Sequence, residues 1–246
     1  MSEETIYGLH AVRSVMTQRP QAVKRLWLIK RQDERLADLW EQARTHRWVI
    51  ETRTAQELDA VTQHGVHQGV VAQVTPQGPM AEEDLLMRLG EANHVPWVLV
   101  LDGVQDPHNL GACLRTADAV GADAVVVPKD RATGLTPVVR KVAAGAAETI
   151  PLVQVTNLAR TLRALKEQGL WIVGTDGEAK TPHYQAPLTG PLAIVLGAEG
   201  TGMRRLTREH CDVVVQLPLR GTVQSLNVSV AAGVMLYEAL RQREQV

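Results

Sequence analysis

Three stretches in the C-terminal part of the chain carry residue types that can do chemistry: NLGACLR (Asn109 to Arg115), LGAEGTGMRR (Leu196 to Arg205) and LPLRGTVQSLNVSVAAG (Leu217 to Gly233). Each follows an apolar run of strand length and leads towards a helical pattern, and in α/β sheets the loops leaving the carboxyl ends of strands are where ligands gather. Asn109, Arg115, Glu199, Ser225 and Asn227 are the candidate reactive or orienting side chains. Amides and hydroxyls orient a bound group, a carboxylate accepts protons or hydrogen bonds, and a guanidinium offers fixed donors to a phosphate or carboxylate. The glycines interleaved with them allow close backbone approach.

Each stretch also has a plainer reading. GAEGTG has the spacing G-x-x-G-x-G rather than the dinucleotide fingerprint G-x-G-x-x-G, and no Lys-Ser/Thr pair follows it as in a P-loop. A strand-to-helix turn accounts for the glycines but not for Glu199 between them, because a charged side chain in a tight loop is rarely needed for packing. Asn109 follows the turn Asp106-Pro107-His108, where capping a helix explains an asparagine as well as chemistry does, and the same holds for Asn227. Arg115 falls one to two turns into the helix, either as a solvated arginine or as an anion-binding one. Asp102 and Asp106 flank a turn that accounts for both. His64 and His67 lack a third ligand, and Cys113 and Cys211 form no CxxC or His-rich cluster, so no metal is expected.

The elements that must position these residues follow from periodicity. From Pro96 onward strands and helices alternate, the signature of a mainly parallel sheet. Strands are predicted at Trp97–Asp102, Ala124–Pro128, Trp171–Thr175, Leu192–Leu196 and Val213–Leu217, all continuous apolar runs as expected when both faces are covered. Helices are predicted at Leu110–Val120, Pro137–Ala147, Leu158–Gln168 and Val228–Arg241. Ahead of these lies a smaller α/β unit. Leu9, Val12, Val15 and Met16 mark one helical face, and Leu36, Leu39, Trp40 and Ala43 another. A short helix covers Ala55–Val61, with strands at Leu26–Ile29, Trp48–Thr52 and Gly69–Val74. The expected organisation is a unit over residues 1–75, a linker with a connecting helix over 76–95 broken by Pro76, Gly78 and Pro79, and a second domain over 96–246.

Composition narrows the class without naming a function. The 246 residues are 45% hydrophobic and 22% charged, ordinary for a globular protein, and no apolar run approaches the ~20 residues that span a bilayer. The N-terminal MSEETIYGLH is acidic where a signal peptide is basic, so a cytoplasmic address and reduced thiols are expected. Net charge is −1, and the first 75 residues carry 10 Lys+Arg against 9 Asp+Glu, so any nucleic-acid surface must be a local patch.

The order and wording of the three stretches resemble the motifs of the SPOUT RNA methyltransferases, in the branch that methylates ribose 2′-hydroxyls. The likeness runs from Ile6 to the end of the chain through IYGLHAV, VHQGVVAQV, LDGVQDPHNLGACLRTADAVGADAVVVPKDR, KVAAGAAE, VTNLARTLR, WIVGTD, GAEGTGMRRLTREHCD and SLNVSVAAG. It implies a small N-terminal α/β RNA-binding domain and a C-terminal parallel-sheet domain with a deep trefoil knot, a homodimer, and S-adenosylmethionine as methyl donor. By motif position it assigns the cofactor pocket to Thr175, Leu196, Gly197, Leu217 and Leu226, and the reaction centre to Asn109, Arg115, Glu199, Ser225 and Asn227. It further implies 23S rRNA as partner, with neither DNA nor membrane, and 2′-O-methylation of a guanosine ribose. The alternatives are a tRNA or another rRNA site, an RNA-binding assembly factor without catalysis, and a nicotinamide-dependent oxidoreductase. Family proposals make the motif-one arginine the base for the 2′-hydroxyl proton. A charged guanidinium has no acceptor, so a phosphate-binding, charge-stabilising role for Arg115 is the preferred one.

Overall fold

The chain is described over residues 3–29 and 34–245 by a computed structural model; residues 1, 2, 30–33 and 246, which fall within the expected domains, lie outside the described residues. The N-terminal unit runs β1 (Glu4–Tyr7), α1 (Leu9–Gln18), β2 (Val23–Ile29), α2 (Ala37–Thr45), β3 (Val49–Arg53), α3 (Ala55–Val61) and β4 (Val70–Val74). Its sheet has the order β1-β4-β2-β3, with β4 antiparallel to β1 and β2 and with β3 parallel to β2. Periodicity identifies every one of these except β1, a four-residue strand in which only Ile6 is buried. α1 and α2 bury Leu9, Val12, Val15, Met16, Leu39 and Ala43 against one sheet face, and α3 covers Trp27 and Val71 with Leu58 on the other.

The larger unit runs α4 (Glu82–Gly90), β5 (Trp97–Asp102), α5 (Pro107–Ala119), β6 (Ala124–Pro128), α6 (Pro137–Ala143), α7 (Ala146–Thr149), β7 (Leu152–Val155) and α8 (Leu158–Glu167). It continues through β8 (Trp171–Thr175), β9 (Thr181–Pro182), β10 (Leu192–Gly197), α9 (Arg205–Glu209), β11 (Val213–Gln216) and α10 (Val228–Arg243). The seven strands are all parallel, in the order β7-β6-β5-β10-β8-β11-β9. Successive residues of β5 show why its sequence is unbroken in hydrophobicity. Leu99 and Leu101 pack with Leu110, Leu114, Met235 and Leu236, while Val98 and Val100 pack with Leu85, Leu89, Leu162 and Leu165. Both faces are covered, so neither set of alternate positions can be polar.

Topology places the site. From β5 the chain runs through α5 to β6 on one side, and from β10 it runs through α9 to β11 on the other. The neighbouring carboxyl ends of β5 and β10 therefore form a topological switch point, where diverging connections leave a crevice. Asp102 and Gly197 face each other in register at that point.

One predicted helix is two. The run Pro137–Ala147 breaks because Ala144 and Gly145 are left-handed, at φ 52° and 99°. α1 crosses there: a β-carbon on Gly145 would stand 3.2 Å from both His10 O and Ser14 Cβ. Docking of the N-terminal unit, a contact invisible to local periodicity, thus requires the break. β7, β9 and α9 also went unpredicted: all three are short, and none contains the three consecutive apolar residues that mark β11 at Val213–Val215.

Candidate active site

α5 starts with Asp106 as its cap, accepting a hydrogen bond from His108 N at 3.0 Å, and Pro107 occupies the first turn, where a missing N–H costs nothing. Asn109 is therefore not the cap allowed for in the sequence; it is buried inside the first turn with its amide free to reach across the switch point. There Asn109 Nδ2 donates to Glu199 Oε1 at 3.3 Å. Asn227 Nδ2 donates to the same oxygen at 2.7 Å and to Asn109 Oδ1 at 2.9 Å, while Val228 N donates to Glu199 Oε1 at 3.2 Å. Asn227 also caps α10 by accepting from Ser229 N at 2.9 Å, so capping and site membership coincide. A carboxylate at the N-terminus of a 16-residue helix is held by the dipole as well as by these donors. Residues 28 and 90 positions from Glu199 in sequence thus meet on one oxygen.

The loop that carries Glu199 is closed on itself. Ala198 N donates to Gly202 O at 3.1 Å and Gly202 N to Ala198 O at 2.9 Å. The loop turns back tightly over β10, and a β-carbon on Gly197 would lie 2.1 Å from Gly202 C and 2.2 Å from Met203 N. The close approach at Gly197 is made by the protein's own backbone. Its base is pinned by a residue that sequence reasoning set aside. Asp102, side chain fully buried, accepts from Arg204 N at 2.8 Å and Arg204 Nε at 2.5 Å and pairs with Nη2 as well. The signal was present in WVLVLD, where a charged residue closes an otherwise buried strand, but the adjoining turn explained it too readily; Asp106 alone serves the turn. Gly197→Val is accordingly expected to open the loop, lower the melting temperature by several degrees and abolish small-molecule binding in the cleft below, since overpacking costs ~1–3 kcal/mol and each kcal/mol shifts Tm by roughly 2–4 °C. A calorimetric melt identical to the wild type would show that the loop tolerates the side chain.

Beside this loop lies a cleft of about 510 Å³, within the range of small-molecule sites. Thr175, Leu196, Gly197, Leu217 and Leu226 all line it, as do Glu199 and Ser225. Asp176, Glu178, Met203, Leu219 and Gln224 line it as well and were not singled out in the sequence: all but Glu178 lie within the quoted stretches, but their residue types gave no reason to prefer them over their neighbours. The charge of the lining is one-sided: Asp176, Glu178 and Glu199 face it, and no Lys, Arg or His is among the described lining residues. Asp176 is itself paired with Arg208. Arg115 does not join this group. It is exposed on α5, without a hydrogen bond or ion pair among the described residues, and six residues beyond Asn109 stands ~9 Å further along the helix axis. Burial pushes the thiols of Cys113 and Cys211 up to about 12 and about 11, so neither supplies a thiolate nucleophile near neutrality. No group of three metal-ligating side chains occurs among the described residues, and no described helix is long and apolar enough to cross a membrane.

A parallel sheet with its crevice at the switch point, a carboxylate–amide cluster at its rim and a glycine-rich loop folded over one strand end define the class. Residues 96–237 match the model of the SpoU rRNA Methylase family, and residues 5–80 match that for RNA 2′-O ribose methyltransferase substrate binding. The chain belongs to the SpoU rRNA methylase family. It is 58% identical over 98% of its length to a 23S rRNA (guanosine-2′-O-)-methyltransferase RlmB of Pseudomonas putida, covering 97% of that protein, and 53% identical to the RlmB of Shewanella oneidensis, covering 98% of each chain. In fold it resembles the SpoU methyltransferase AviRb from Streptomyces viridochromogenes, solved in complex with AdoMet, at a TM-score of 0.82 and 24% identity over 99% of this chain and 92% of that one.

Proposed function

We propose that the protein transfers a methyl group from S-adenosylmethionine to the ribose 2′-hydroxyl of a guanosine in 23S rRNA. The observation that carries this reading is the electrostatics of the cleft. Its carboxylates and apolar walls suit a ligand that is cationic and carries a flat, apolar-faced base, and they repel the pyrophosphate of a nicotinamide dinucleotide. S-adenosylmethionine supplies an electrophilic methyl on a positively charged sulfonium. Leu196, Leu217 and Leu226 would hold its adenine, and Gly197 and Thr175 would border it. Titration by calorimetry tests the reading: S-adenosylmethionine is expected to saturate one site per chain while a nicotinamide dinucleotide leaves no heat. The opposite result overturns it.

The chain's own residues do the remaining work by position. A 2′-hydroxyl is a weak acid and must lose its proton as it attacks, so holding it in line with the methyl supplies much of the acceleration. Asn109, Asn227 and Val228 N fix Glu199 through one oxygen. In this reading Glu199 and Ser225, which line the cleft, hold the ribose, and the two amides behind Glu199 orient it. Arg115, without a hydrogen bond or ion pair among the described residues, binds the neighbouring phosphate and stabilises developing negative charge on the attacking oxygen.

The protein acts as a cytoplasmic homodimer in this reading, with a trefoil knot in its C-terminal domain. Support for the dimer comes from α10, whose Val230, Val234 and Tyr237 are exposed at helical spacing. Gly233 lies among them with nothing within 4 Å of where its β-carbon would be. A glycine that its own chain does not require, inside a helix where it costs ~1 kcal/mol relative to alanine, fits close approach by a second copy. The N-terminal unit recognises the rRNA. A chain reduced to residues 76–246 is expected to keep S-adenosylmethionine affinity within a few-fold, since its sheet and both covering layers are intact, and to lose methylation of a 23S rRNA fragment. Full-rate methylation by the truncated chain would remove the N-terminal unit from substrate recognition.

A further inference from the structure

Away from the cleft, four charged side chains meet between the two sheets: Glu4 of β1, Arg19 just after α1, Arg140 of α6 and Glu148 of α7. Their side chains retain 16, 14, 7 and 2% of their exposure, which sets them apart from ordinary surface pairs. Arg140 Nε lies 2.6 Å from Glu4 Oε1, and Arg140 Nη1 donates to Glu148 Oε1 at 2.5 Å. Arg19 Nε donates to Glu148 Oε2 at 3.0 Å, and Nη2 pairs with the same oxygen. Arg140 Nε makes only its ion-pair contact with Glu4, and Glu4 Oε2 is buried without a hydrogen-bond partner among the described residues, whereas the outer guanidinium nitrogens reach backbone. Arg19 Nη1 donates to Thr75 O at 3.3 Å, and Arg140 Nη2 donates to Gln77 O at 3.0 Å. Two acids and two arginines therefore balance, and both arginines grip the backbone that joins the two units. Burial raises the Glu4 carboxyl pKa against the pull of Arg140, as expected of a desolvated site. Close by, Ser14 Oγ donates to Gly145 O at 3.1 Å, across the break that separates α6 from α7.

We propose that Glu4, Arg19, Arg140 and Glu148 form a positioning joint that holds the substrate-binding unit at one orientation, so that RNA bound there is presented to the cleft. This rests on the methyltransferase reading above. A connection of a few residues leaves two folded units free to swing, and an apolar contact lets them slide. A buried, charge-matched network does neither, because displacement by a few ångströms leaves a desolvated charge without its partner, at far greater cost than the loss of an exposed pair. The joint is a determinant of specificity rather than of chemistry: none of its members lines the cleft.

Arg19→Ala in the full-length protein is the test, since Glu148 then keeps Arg140 and the cleft keeps all its residues. Three quantities are read with S-adenosylmethionine and a 23S rRNA fragment: KM for the RNA against kcat, S-adenosylmethionine affinity, and the rate of proteinase K cleavage within residues 76–81. The expected result is a KM for RNA raised about tenfold or more, with kcat and cofactor affinity within twofold and faster linker cleavage. Arg19→Lys should recover most of the loss in KM, and Glu148→Gln should reproduce the Ala result from the other side of the joint. Unchanged linker cleavage would show that the network does not hold the joint. Faster cleavage with an unchanged KM would show that orientation is irrelevant to RNA selection. A parallel fall in cofactor affinity would make the network a prop for the catalytic sheet; each of these three overturns the proposal. A wild-type protein that fails to methylate the fragment counts against the methyltransferase reading, while the cleavage arm still decides whether the joint exists.

Discussion

Glu199→Ala is expected to lower the rate of methyl transfer by ~10²–10³-fold, the range seen when a preorganised polar contact to the transition state is lost. Three donors converge on Glu199 Oε1, from Asn109, Asn227 and Val228. Without the carboxylate both amides lose their shared anchor, and Asn227 keeps only its bonds to Asn109 and to the first turn of α10. The fold should survive, because Asn227 still caps α10 and Arg204 still ties the loop base to Asp102. Glu199→Gln should fall between the two, since its oxygen can still accept while the charge that favours the helix N-terminus is gone. Single-turnover rates, with melting curves as a control for folding, decide the matter. A rate within a few-fold of wild type in the Ala variant would reduce Glu199 to a helix cap.

Arg115→Ala is expected to cost a similar ~10²–10³ in kcat, for a different reason. Its side chain is exposed and makes no hydrogen bond or ion pair among the described residues, so its removal should leave both stability and S-adenosylmethionine affinity unchanged. Only the complex with RNA should register the loss. Arg115→Lys should restore little, because one ammonium cannot reproduce the planar fork that grips a phosphate from two sides. Turnover within a few-fold of wild type would make Arg115 a solvated surface residue. A collapse of cofactor binding would instead place it in the pocket, against its present position on α5.

The two variants separate what a charged residue does inside a cluster from what it does facing substrate. Glu199 acts through its neighbours, so its effect should be partly reproduced by Asn109→Ala and Asn227→Ala, and the three should be non-additive. Arg115 shares no contact with them, so its effect should multiply with theirs if it acts independently. This contrast follows from geometry alone.

Much of this protein was legible in the amino-acid sequence. The strands Trp97–Asp102, Ala124–Pro128 and Trp171–Thr175 appear at their predicted bounds because a strand buried on both faces must be apolar throughout, a purely local signature. The same locality explains why Asn227 was readable as a helix cap and why the loop around Glu199 stood out: a carboxylate among glycines at a strand end has little structural excuse. Tertiary structure decided what these residues touch. Nothing in the local pattern of NLGACLR reveals that Asn109 bonds across 90 positions to Glu199, or that Asp102 is the buried anchor of Arg204, 102 positions away. The break at Gly145, the joint of Arg19 with Glu148 and the close fit of Gly197 beneath Gly202 likewise arise from segments brought together only after the sheets form. Helical and strand periods record which face of an element is buried; they carry no record of the particular partner that buries it, which is why the elements were determined by sequence and the site's contacts by the fold.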